Sequence, residues 1–196
     1  MDIWRQAVKI APQLARALAG FETAYRGAHK AGRIEGALVS AWQRVIDDAK
    51  QSAVTLEPAY LCSLHSDLDP AYRGRPDVFR EGKPPMDWRT FLDAMVICDS
   101  IQGAEAWVVA QLCWGEHLPS MSFSTGWLCF NGLRLQEGVC PLSLPVDQWD
   151  LIASDLRDGG PPVWDAENLR ALIGRLERDQ AQKASGYGAK SGSRSR

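Results

Sequence analysis

The sequence is short of nearly every signal that would name a chemistry. It has no glycine-rich phosphate loop, no dinucleotide fingerprint, no Gly-x-Ser-x-Gly elbow and no His-Glu-x-x-His pair. Those absences remove the motif-borne forms of nucleotide binding, serine hydrolysis and zinc proteolysis. Histidine is scarce, with three in 196 residues, so imidazole chemistry is confined to His29, His65 and His117. Long apolar runs are missing as well. The longest, Trp107 to Trp114, is broken by Gln111 and falls well short of the roughly 20 residues a membrane-spanning helix needs. The opening MDIWRQAVKIAP lacks the uninterrupted apolar stretch of a signal peptide. Five cysteines, an odd number at irregular spacing, fit no disulfide framework. The expectation is a cytoplasmic protein with no membrane partner.

Strong charge of one sign is also lacking. The formal net charge is -2, so the chain as a whole neither attracts nor repels polyanions, and partners must be argued from local charge. The distribution is uneven: residues 1–50 carry 8 Lys+Arg against 5 Asp+Glu, and residues 101–174 carry 3 against 9. After Asp179 the charged residues are Lys183, Lys190, Arg194 and Arg196, set among Gly and Ser that bury nothing. The composition, 45% hydrophobic, is that of a globular protein. We expect a single domain over 1–180 and a flexible basic tail over 181–196.

Apolar periodicity predicts a helix over 3–19, with Pro12 kinking it or starting its second half and Gly20 closing it. Residues 21–50 read as one long helix or two short ones, apolar at Phe21, Tyr25, Ile34, Leu38, Trp42, Val45 and Ile46. From Ser52 to Pro85 the period is lost, which predicts a long irregular connection. Asp87 reads as the N-cap of a helix that Gly103 ends. In SMSFSTGWLCFNGLRLQEG, strand-like runs are interrupted at Thr125-Gly126 and Asn131-Gly132, and Asn-Gly is a strong hairpin signal. Two C-terminal helices follow, one from Pro145 to Gly159-Gly160 and one capped by Asp165 that buries Leu169, Leu172, Ile173 and Leu176. The expected fold is therefore α+β: mainly helical, with a small antiparallel β-meander around 105–138. The alternative is an all-α fold with one β-hairpin.

Three constellations bear on function. Cys62 and His65, with Cys113 and His117, supply the thiol and imidazole set of a tetrahedral zinc site, provided both segments are helical; ordinary packing of the cysteines is the competing account. The same residues offer a cysteine nucleophile beside an imidazole, although no local signature selects one. Asp67, Asp69 and Asp77, with Asp99, Glu105 and Glu116, would suit a magnesium ion. The better account of SDLDP is a turn in which Asp side chains bond nearby backbone amides and Pro fixes the geometry.

The basic residues are the third. On one continuous helix, at about 100° per residue, Arg26, Lys30, Arg33 and Arg44 fall within about 60° of one another, a stripe suited to nucleic-acid phosphates. Asp48 and Glu22 lie beside that stripe and dilute it, and a solvated face is the simpler account of it. Most of the eight tryptophans fall on apolar faces and read as core, while Trp4 and Trp164, near element starts, could anchor a partner. The leading expectation is a non-catalytic protein–protein interaction protein: an adaptor, an inhibitor or a small subunit of a larger assembly. A nucleic-acid-contacting protein, in a ribonucleoprotein complex for instance, is the alternative. A zinc-stabilised protein or cysteine hydrolase stands third.

Overall fold

The computed structural model describes residues 2–26, 31–73, 118, 120–144 and 173–182. Most of these residues are helical, and no strand occurs among them. Helix α1 spans Ile3–Arg26, α2 Ala31–Lys50, α3 Pro58–Leu68 and α4 Ser122–Gln136. A 3-10 turn, Pro70–Tyr72, follows α3, and a last helix, α5, covers residues 173–182. None of the described helices is long and apolar enough to cross a membrane.

Helix α1 begins where Asp2 offers its carboxylate to the amides of Trp4 and Arg5, at 3.1 and 3.4 Å. It runs through Pro12 and Gly20 without stopping, so Gly20 does not close it. Pro12 and Val8 are both exposed, and water can satisfy the Val8 carbonyl that proline leaves without an intrahelical donor. The inner face carries Ala7, Leu14, Ala15, Ala17, Leu18, Ala19 and Phe21, all buried. Four small alanines among these let α2 lie close. Helix α2 answers with Leu38, Ala41, Trp42, Val45, Ile46 and Ala49, a three-and-four spacing that forms one apolar stripe. The Trp42 indole N–H donates to the Ala7 carbonyl at 2.9 Å and ties the two helices into a hairpin.

Within the irregular connection expected over 52–85, of which 74–85 lie outside the described residues, residues 58–68 instead form α3. Pro58 occupies its first turn and Leu61, Cys62, Leu64, His65 and Leu68 its buried side. The turn-forming residues of SDLDP sit at the end of this helix, not in place of it.

The expected β-meander is overturned over its described portion. Residues 122–136 make a single helix, and the hairpin of the all-α alternative is absent from them too; 105–117 lie outside the described residues. The reason is burial. Thirteen of the fifteen α4 residues are buried, because α1, α2 and α3 all pack on this helix. A helix enclosed on several sides has no polar face, so its sequence carries little helical period. Gly132, read as a turn residue, is a contact residue: a Cβ there would stand 2.7 Å from Val45 Cγ1 and 3.0 Å from both Val54 methyls.

Two α4 side chains stand in for missing strand partners. Asn131 accepts from Leu142 N–H at 2.7 Å and donates to Leu142 C=O at 3.3 Å. Gln136 accepts from Val54 N–H at 2.6 Å and donates to Val54 C=O at 3.2 Å. The extended segments after α2 and after α4 thereby satisfy backbone groups without a sheet. Helix α5 falls in the second of the two expected C-terminal helices and docks through Leu176, 6% exposed, with Ile173 against the core; the expected cap Asp165, Leu169 and Leu172 lie outside the described residues. The Asp87 helix and the Pro145 helix lie outside the described residues.

Candidate functional site

The densest polar geometry surrounds α3 and the entry to α4. His65, fully buried, places Nε2 at 2.9 Å from the Ser120 carbonyl and 3.2 Å from Ser120 Oγ. A carbonyl only accepts, so Nε2 carries the proton and donates. Ser120 Oγ in turn donates to Asp69 Oδ2 at 2.6 Å. Asp69 Oδ1 accepts from the Ala71 amide at 3.1 Å, opening the 3-10 turn as the SDLDP reading expects.

Histidine, serine and aspartate thus lie in a row, but in the wrong order for nucleophilic catalysis. An activated serine gives its proton to a histidine that a carboxylate orients. Here the serine gives its proton to the carboxylate, and the histidine nitrogen facing it is already protonated. The chain of bonds works as a strut that holds residue 120 against the end of α3. Met121 then turns through a left-handed conformation, φ 49°, and α4 begins.

That helix start has no side-chain cap of its own. Glu22, 1% exposed on α1, supplies one: its Oε1 accepts from Ser124 N–H at 3.1 Å and from Ser124 Oγ at 2.7 Å. A carboxylate at a helix N-terminus satisfies free amides and opposes the positive end of the helix dipole. In the sequence Glu22 falls beside the basic stripe. Extending α1 past Gly20 at about 100° per residue would have put it near Leu18, on the buried side.

Arg44 anchors a second network on the outer side of α2 and α3. It is bonded to Asp67, reaches Asp48 at 3.3 Å and Ser63 Oγ at 3.0 Å, and lies 5.7 Å from the Tyr60 ring centroid. Partial burial works against its charge, but the Asp67 hydrogen bond and the charges of Asp67 and Asp48 outweigh that and raise its pKa. The Tyr60 hydroxyl donates to Asp48 at 3.0 Å. Burial, with the charge of Asp48 and the hydrogen bond to it, pushes the Tyr60 pKa well up.

The candidate residues of the sequence therefore separate. Cys62, 3% exposed, and His65 share the buried side of α3, while Cys113 and His117 lie outside the described residues. Among the described residues no three His, Cys, Asp or Glu side chains gather as a metal site would require. Of the magnesium candidates, Asp67 faces Arg44 and Asp69 faces Ser120 and Ala71, and the other four lie outside the described residues.

Of the basic stripe, Arg26 ends α1, Arg33 and Arg44 belong to α2, and Lys30 lies outside the described residues. The single helix that would align all four is a helical hairpin instead. Trp42 and Trp127 are core residues, each 1% exposed, Trp4 packs partly buried against the core cluster, and Trp164 lies outside the described residues. No protein-family model matches the chain, and neither the curated proteins nor the solved structures compared with it include a match.

Proposed function

We propose that this chain is a non-catalytic interaction protein, a helical body that serves as an adaptor, inhibitor or small subunit by binding another protein. The carrying observation is the sense of the His65–Ser120–Asp69 chain. Its one histidine nitrogen near a hydroxyl donates to a backbone carbonyl and so takes no proton from serine. The other polar residues support the same reading through what they hold together: Glu22 caps α4, Arg134 bonds Glu177 on α5, and Asn131 and Gln136 secure extended segments.

Arg44 gives its charge to Asp67 and Asp48 within the fold, which ranks the nucleic-acid reading second. Native purification at moderate salt tests the proposal. A protein partner retained in stoichiometric amount is the expected result. Stoichiometric zinc whose chelation unfolds the chain, or bound nucleic acid released by charge reversal at Arg26, Lys30 and Arg33, would replace it.

A further inference from the structure

The buried side of α1 belongs to the core, and its outer side carries a row of cations that the sequence reading passed over. Arg5, Lys9 and Arg16 are all exposed. At about 100° and 1.5 Å per residue they fall within about 40° of one another, about 6 Å and then about 10 Å apart along the axis. Lys9 and Arg16 have no carboxylate partner among the described residues. Arg5 has only Asp2, at 3.7 Å, in a pair whose side chains are 90% and 53% exposed, a geometry worth little in water.

Beside the row lie Val8, 52% exposed, and Pro12, also exposed. Val8 is one of two large hydrophobic residues exposed among those described, the other being Val39. Cations in line, with an apolar edge one turn long beside them, form a two-part surface.

We infer that this face of α1 docks an acidic amphipathic helix of a partner protein. The inference rests on the interaction reading above and names its surface. Charge complementarity selects the occupant's sign, and the apolar edge selects its class. Acids four and seven residues apart on a facing helix repeat the spacing of Arg5, Lys9 and Arg16, and leucines next to them cover Val8 and Pro12. A nucleic-acid backbone would meet the cations but leave Val8 in water. A lipid surface would need an apolar helix face to insert, and the apolar face of α1 is already packed against α2 and α4.

Fluorescence anisotropy with the full chain tests the surface. The probe is a labelled helical peptide with glutamates at four- and seven-residue spacing and leucines alongside. Controls are a scrambled peptide of equal charge, a single-stranded oligonucleotide and phosphatidylserine vesicles. The designed peptide should bind at least tenfold more tightly than the scrambled one. The combined Arg5→Glu, Lys9→Glu and Arg16→Glu variant should lose that binding, Val8→Ser should weaken it several-fold, and both variants should keep the wild-type melting temperature. Equal binding of the two peptides, tighter binding of the oligonucleotide or vesicles, no binding, or an unaffected charge-reversal variant would each overturn the inference. Repeating the native purification with that variant separates the two claims. A protein partner kept by the variant sinks the α1 surface alone, whereas no protein partner on the wild type sinks the interaction reading itself.

Discussion

Asn131 and Leu142 are paired as two strand residues would be, except that one of the two backbones is a side-chain amide. The Asn131 side chain accepts from Leu142 N–H and donates to Leu142 C=O, and both residues are buried, at 0% and 1% exposed. Removing the amide strands two backbone groups where water does not reach. Asn131→Ala should therefore cost about 2–4 kcal/mol in urea unfolding. Gln136→Ala, at a half-buried position, should cost about 1 kcal/mol because water can replace part of what is lost. Equal losses at the two sites would contradict this account of the extended segments.

Gly132 gives the second prediction. Alanine is the better helix former by about 1 kcal/mol, yet its methyl would press on Val45 and Val54, whose branched side chains have little room to turn. Gly132→Ala should destabilise by about 1–3 kcal/mol net. Val45→Ala should recover part of that loss in a double-mutant cycle, a coupling that mere helix propensity would not produce.

These two neighbours also show where the sequence was legible and where it was not. The helical character of α1 and α2 was legible, though not the break between them, because each helix has one wet side and burial leaves a three-and-four pattern in Leu14, Leu18, Leu38, Trp42 and Ile46. Helix α4 has no such side, and Asn131-Gly132 was read by its commonest local use, a turn. Its actual use depends on Val45, Val54 and Leu142, none of them local. The same holds for the polar residues. The turn-forming role of Asp69 is encoded within two residues and was legible; the bond from Ser120 to Asp69 crosses 51 positions and was not. The fate of Arg44 likewise turned on Asp67, 23 positions away.

Arg134 and Glu177 give a third prediction. The arginine side chain is 5% exposed and its partner 43%; the pair is closed at 2.8 Å, with a second bond from Arg134 Nε to the Cys140 carbonyl at 3.1 Å. Replacing the carboxylate by an amide keeps an acceptor but removes the opposite charge from a nearly buried cation. Glu177→Gln should cost about 1–2 kcal/mol, above an exposed pair and below a fully buried one. Helices in proteins draw most of their stability from tertiary packing, and Arg134–Glu177 is one of the contacts that hold α5 in place. Hydrogen exchange in the variant should therefore lose protection across 174–180 while α4 keeps its own, and a uniform loss over both helices would argue against an independently releasable α5.

Tyr60 gives a prediction with a sign in pH. Burial is the largest cause of its raised pKa, and the ordinary tyrosine value is 10.0. Below that value both folded and unfolded chains keep the proton, and the contribution to stability is constant. Above it the unfolded chain ionises while the folded chain does not, so the folded state holds more protons and loses stability as pH rises. Tyr60→Phe removes this dependence. At about pH 8 the variant should be less stable by about 1 kcal/mol, for the lost hydrogen bond to Asp48. Toward about pH 11 the wild type should lose stability faster, so the two curves converge. Denaturant unfolding of both proteins across that range is the measurement, and a difference that stays constant or widens would show that Tyr60 ionises as readily folded as unfolded.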